Sequence, residues 1–115
     1  MRGRRPIPTL AYGARPRFVR ATSRKVAGEV QQMMIAVVSF GTGTPAAIPG
    51  VAVAGKTGTA ELNLGNIYDS WFAAFAPANN PQVAVAVIVE KQPNGFGATY
   101  AAPIAKAIIE NLLHR

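Results

Sequence analysis

The chain has 115 residues, half of them apolar and 15% charged, a globular composition with enough material for one domain and a modest core. It has no cysteine and a single histidine, His114, which excludes a disulfide framework, a thiolate metal site and a histidine cluster, and no cofactor is expected. No apolar run reaches the ~18 residues of a membrane span, and no apolar segment follows the first arginines as a secretory signal would require.

The net charge of +7 is unevenly placed. Residues 1–25 hold eight basic residues and no acid, whereas residues 26–115 hold four basic and five acidic residues, a balance of −1. Residues 1–21 are therefore expected to form a basic, poorly ordered arm and residues 22–115 a near-neutral folded domain. Such an arm can neutralise phosphates. Here prolines and glycines interrupt it and only Tyr12 and Phe18 interleave as aromatics, so no nucleic-acid partner is expected.

The first periodic segment begins at Thr22 or Ser23, either of which can cap a helix. Val26, Val30, Met33, Met34 and Val37 then form one apolar helical stripe, expected in the core. Gly41 and Gly43 end it, by conformations closed to other residues. Three strands follow, Val51 to Thr59, Ser70 to Ala76 and Val83 to Glu90; Pro77-Ala78-Asn79-Asn80-Pro81 is a turn by composition, so short links make antiparallel neighbours. In the third strand Val83, Val85, Val87 and Val89 face one way and Ala84, Ala86 and Ile88 the other. A strand apolar on both faces is expected to be covered on both, which places the sheet between helical layers. A final helix from Thr99 or Tyr100 to Leu113 carries the stripe Ala101, Ile104, Ala105, Ile108, Ile109 and Leu112, with Pro103 in its first turn. The expected class is α/β of the α+β type: helix, three-stranded antiparallel sheet, C-terminal helix.

Gly50-Val51-Ala52-Val53-Ala54-Gly55-Lys56-Thr57 matches a phosphate-binding loop letter for letter. That loop works only when a strand precedes it and a helix opens at the lysine, so that backbone N–H groups face the phosphates. Here two prolines precede Gly50, Val-Ala-Val-Ala reads as a strand, and Gly58-Thr59-Ala60 starts no helix. Read as a strand, the same residues set Lys56, Thr57 and Thr59, one cation and two hydroxyls, along an edge. Gly55 and Gly58 allow another backbone or a ligand to come close. That set suits an anionic, peptide-like ligand lying parallel to the strand; an ordinary edge strand whose lysine discourages aggregation is the alternative.

Lys56-Thr57-Gly58 also matches the K-T-G motif of the serine acyl-transferases that include penicillin-binding proteins and class A β-lactamases. Gly41-Thr42-Gly43-Thr44, then Val53 through Glu61, then Asp69-Ser70-Trp71-Phe72-Ala73-Ala74-Phe75-Ala76-Pro77 resemble, in order, the end of a penicillin-binding D,D-transpeptidase domain, most of all the membrane-anchored actinobacterial type with its extracytoplasmic domain. The resemblance covers about residues 22–113. It implies that Lys56 sets positive charge beside a substrate carboxylate and aids proton transfer. It implies that the Thr57 and Thr59 hydroxyls bind that carboxylate, that the Thr59 N–H is an oxyanion donor, and that Gly58 keeps the strand narrow for the ligand. It implies that Trp71 and Phe72 are packing residues at the edge of the cleft. The implied ligands are peptidoglycan stem peptides or β-lactams. The family's nucleophile stands in S-x-x-K and a second motif is S-x-N; windows from Ser23, Ser39 and Ser70 fit neither. The chain alone is therefore expected to be inactive, its partner being the missing N-terminal half of the domain, whose strands would pair with the third strand. A non-catalytic module that binds penicillin or stem peptides is the alternative.

Overall fold

The computed structural model describes residues 18–63, 65–93 and 97–114. Most of the expected arm lies outside the described residues. The element order is helix α1 (Arg24–Phe40), a single 3₁₀ turn (Thr44–Ala46), strands β1 (Ala54–Glu61), β2 (Ile67–Ala76) and β3 (Val83–Pro93), and helix α2 (Gly97–Leu113). The strands form one antiparallel sheet in the order β1-β2-β3, which leaves β1 and β3 at its two edges. The α+β class is as the sequence implies.

Ser23 caps α1 in extended backbone, its Oγ accepting the Val26 N–H at 3.1 Å. The helix ends because the chain folds back on it: the Gly41 and Gly43 N–H groups both donate to the Val37 carbonyl, at 3.0 and 2.9 Å. These glycines do not adopt the conformations closed to other residues that their position suggested. Gly41 and Gly43 hold negative φ, −109° and −93°, open to any residue. What requires glycine is crowding, since a Cβ on Gly41 would lie 3.0 Å from Val37 backbone and one on Gly43 2.9 Å from the Val37 side chain.

The core lies on one face of the sheet. Phe72, Ala74 and Ala76 of β2 and Val87 of β3 meet Ala101, Ala102, Ala105 and Ile109 of α2, with Val38, Ala46 and Val53 closing the end nearest α1. Three alanines on the buried side of α2 leave room for the helix to sit close to the sheet. Phe72 supplies the bulk, and burying such a ring stabilises by about 2–3 kcal/mol.

The expected cover on the second face is only partial among the described residues: Ala54 is fully buried and Phe75 half-buried there, beside Val30 and Met34 of α1, and the rest of that face is open. Ala84, Ala86 and Ile88 of β3 are exposed, as are Ala73 and Trp71 beside them on β2. The α1 stripe behaves likewise: Val26, Val30 and Met33 are 42%, 42% and 60% exposed, Met34 and Val37 are half-buried, and the buried residue is Val38. On α2, Ala101, Ala105 and Ile109 are buried as expected, whereas Ile104, Ile108 and Leu112 form an outward stripe. Periodicity marks an apolar face; it does not say which chain covers it. α2 also starts earlier than expected, at Gly97, so Pro103 stands inside the helix beyond its first turn, on an exposed side.

Candidate active-site strand

Lys56 is the third residue of β1, a strand, and no helix opens there. The Gly50–Thr57 segment is therefore not a phosphate-binding loop. Its first half is a turn, with a bridge between Ile48 and Val51 and Gly50 at φ +79°. A hydrogen bond from the Ala78 N–H to the Ala52 carbonyl (2.7 Å) then ties the entry of β1 to the β2–β3 turn. Gln31 of α1 donates to the Ala78 carbonyl, so α1, the turn and β1 are fastened at one point.

Pairing with β2 fixes the faces of the motif. The register sets Gly55 opposite Ala74, Lys56 opposite Ala73, Thr57 opposite Phe72, Gly58 opposite Trp71 and Thr59 opposite Ser70. Side chains alternate along a strand. Gly55, Thr57 and Thr59 therefore stand on the core face with Phe72 and Ser70, and Lys56 and Gly58 on the second face with Trp71. The cation and the two hydroxyls, expected along one strand edge, leave the strand in opposite directions. Only at the open edge of β1 can a single ligand meet all three.

The two motif glycines separate. A Cβ on Gly55 would fall 2.4 Å from Cζ of Phe72, so Gly55 serves the chain's own core. A Cβ on Gly58 would meet only Trp71 Cβ, at an ordinary 3.4 Å. Among the described residues nothing forbids a side chain at Gly58, and the space above it is open. Phe72 is fully buried, as a packing residue should be. Trp71 is 43% exposed and stands next to Gly58 on a part of the second face that no described residue covers.

Lys56 is exposed, and its ammonium folds back to donate to the Thr57 carbonyl. Thr57 is half-buried and its Oγ1 lies 3.2 Å from Oγ1 of Thr42, in the turn after α1. Thr59 is exposed. Thr42 is the contact that sequence reasoning passed over. It belongs to a motif block but received no role, because nothing in the chain order brings residue 42 to residue 57. Of the serines, Ser23 is engaged as a helix cap and Ser70 is fully buried. Among the described residues no group of three acidic, histidine or cysteine side chains could hold a metal ion, and no helix is long and apolar enough to cross a membrane.

Residues 15–110 match the family model of the penicillin-binding protein transpeptidase domain. The chain is 42% identical over 100 residues to the peptidoglycan D,D-transpeptidase PbpA of Mycobacterium tuberculosis, covering 82% of this chain and 20% of that protein. Its fold superposes on the D,D-transpeptidase domain of a peptidoglycan glycosyltransferase from Eggerthella lenta with a TM-score of 0.74 at 42% identity, over 84% of this chain and 22% of that one. An imipenem acyl-enzyme of penicillin-binding protein A from M. tuberculosis gives a TM-score of 0.69 at 45% identity, over 82% and 20% of the two chains. The chain thus spans about one-fifth of the length of these relatives. With the family model covering most of its length, the chain belongs to the penicillin-binding protein transpeptidase domain family.

Proposed function

We propose that this chain forms the K-T-G wall of the active site of a peptidoglycan D,D-transpeptidase, and that the acylating serine comes from the remainder of the domain. The observation that carries the reading is the placement of Lys56, Thr57, Gly58 and Thr59 on the open edge strand β1, with Trp71 beside Gly58 on the open part of the second sheet face.

In this reading a stem peptide or a β-lactam lies along the outer edge of β1, its backbone over Gly58. The Lys56 ammonium releases the Thr57 carbonyl and turns to the ligand carboxylate and to the proton traffic around the nucleophile. The Thr57 and Thr59 hydroxyls hydrogen-bond the carboxylate. The Thr59 N–H donates to the oxyanion of the tetrahedral intermediate; losing one such donor typically slows acyl transfer by about a hundredfold or more. The serine that attacks and the lysine that takes its proton stand in the upstream part, since no described serine lies in an S-x-x-K window. That part also covers Trp71, Ala73, Ala84, Ala86 and Ile88, extends the sheet at β3 and packs on Ile104, Ile108 and Leu112, which accounts for three apolar surfaces at once. Peptidoglycan cross-linking places such a site outside the cytoplasmic membrane.

The test is covalent labelling of the complete domain, this chain joined to its upstream sequence, with a fluorescent penicillin. The expected result is a stoichiometric adduct on a serine outside residues 1–115. A folded complete domain that takes no label, or takes it within this chain, contradicts the proposal.

A further inference from the structure

We infer that Thr42 is a positioning residue for the carboxylate-binding hydroxyl of Thr57. This inference rests on the reading of Thr57 as a carboxylate ligand and adds the residue that aims it.

The geometry begins with the turn after α1. Thr42 sits between two glycines whose N–H groups both donate to the Val37 carbonyl. Gly43 is buried, with Val37 and the Phe72 ring both crowding the place a Cβ would take, and the Thr44 N–H returns to the Gly41 carbonyl at 3.3 Å. The backbone on both sides of Thr42 is therefore pinned to the core while its side chain stays exposed. Thr57 is fixed from the other direction, by pairing with Phe72. Phe72 thus pairs with Thr57 and lies by Gly43, the neighbour of Thr42, and the two threonine hydroxyls meet at 3.2 Å.

An exposed hydroxyl pair adds little stability, since water can serve either partner equally well. What the pair sets is direction. Each hydroxyl has one proton to donate, and a carboxylate only accepts. If Thr57 gave its proton to Thr42, it would have none for the ligand. A bound carboxylate therefore selects one arrangement: Thr42 donates to Thr57, and Thr57 donates to the carboxylate. Donors and acceptors in such a chain polarise one another, so the bond to the ligand strengthens when the one behind it is made.

The test has two arms. In the full 115-residue chain, the three-bond Hα–Hβ coupling of Thr57 reports the rotamer that directs its hydroxyl. A single staggered value is expected in the wild type and in Thr42→Ser, and an averaged one in Thr42→Val; an unchanged coupling in Thr42→Val overturns the proposal. In the complete domain, the second-order acylation rate is compared for a β-lactam bearing a free carboxylate and for its methyl ester. Thr42→Val is expected to slow the acid by about three- to tenfold, the worth of one neutral hydrogen bond, and to leave the ester unchanged. Thr42→Ser restores the rate on the acid, and in a Thr57→Val background Thr42→Val has no further effect. Equal losses on acid and ester, or losses that simply add in the double variant, overturn the proposal. A domain that is not acylated at all defeats the functional reading alone, and the coupling arm still decides the role of Thr42.

Discussion

The ring of Phe72 occupies the place where a side chain on Gly55 would go, its Cζ 2.4 Å from the ideal Cβ position. Phe72 is fully buried and cannot swing aside without disturbing α2. Gly55→Ala is therefore expected to overpack the core at a cost of about 1–3 kcal/mol. Gly58→Ala, with only Trp71 Cβ nearby at 3.4 Å, is expected to leave stability within about 0.5 kcal/mol, as surface changes usually do. Thermal unfolding of both variants separates them. A Gly58→Ala variant as unstable as Gly55→Ala would show that the strand itself, and not a ligand, requires glycine there.

Asp69 holds an irregularity in the sheet. Tyr68 pairs with Gln92 and Ser70 with Val89, so Glu90 and Lys91 together face Asp69 across a bulge. Lys91 adopts φ +53°, and its N–H donates to Asp69 Oδ1 at 3.0 Å. Few non-glycine residues take that conformation without local support. Asp69→Ala should cost about 1 kcal/mol, whereas Asp69→Asn keeps an acceptor oxygen and should cost less. Urea midpoints rank the two, and hydrogen exchange at the Lys91 amide should quicken in Asp69→Ala alone.

The isolated chain is expected to form no covalent adduct with penicillin. Ser23 caps α1, Ser70 is fully buried, and Ser39 belongs to no S-x-x-K window. Intact-mass spectrometry after prolonged incubation checks this, and a stoichiometric adduct on any of the three serines would refute a nucleophile supplied from upstream.

The sequence carried the order of elements because local signals agree there: Ser23 before an apolar helical period, the Pro77–Pro81 turn between two strands, and Val-rich alternation in β3. It carried the motif because Lys56-Thr57-Gly58 stands between two further blocks of the same family. Two kinds of information were not legible. One is which apolar face this chain covers by itself. Val26, Val30, Met33, Ile88 and Ile104 read as core by period and are at least 39% exposed, since periodicity records that a face is apolar and is silent on its partner. The other is contact between segments distant in sequence. Gly41 and Gly43 looked like turn formers and are glycines because Val37 crowds them, and Thr42 meets Thr57 only through the fold. The split of Lys56 from Thr57 and Thr59 across the strand follows from alternation along a strand.

In the proposed function Lys56 serves the ligand carboxylate at the open edge of β1. Lys56 is exposed and, among the described residues, donates to the Thr57 carbonyl beside it, so its removal should leave the fold intact. A charge-assisted hydrogen bond to a carboxylate is worth about 1.5–3 kcal/mol. With tenfold in rate at about 1.4 kcal/mol, Lys56→Ala should slow acylation of the complete domain by roughly 10- to 100-fold. Lys56→Arg should be milder, since the charge survives and the geometry changes. Lys91 is the control, an exposed cation at the bulge on the opposite edge strand. The deciding measurement is the second-order rate of acylation by a carboxylate-bearing β-lactam in the two alanine variants. A rate at least tenfold lower for Lys56→Ala than for Lys91→Ala is predicted, and equal rates would remove Lys56 from the site.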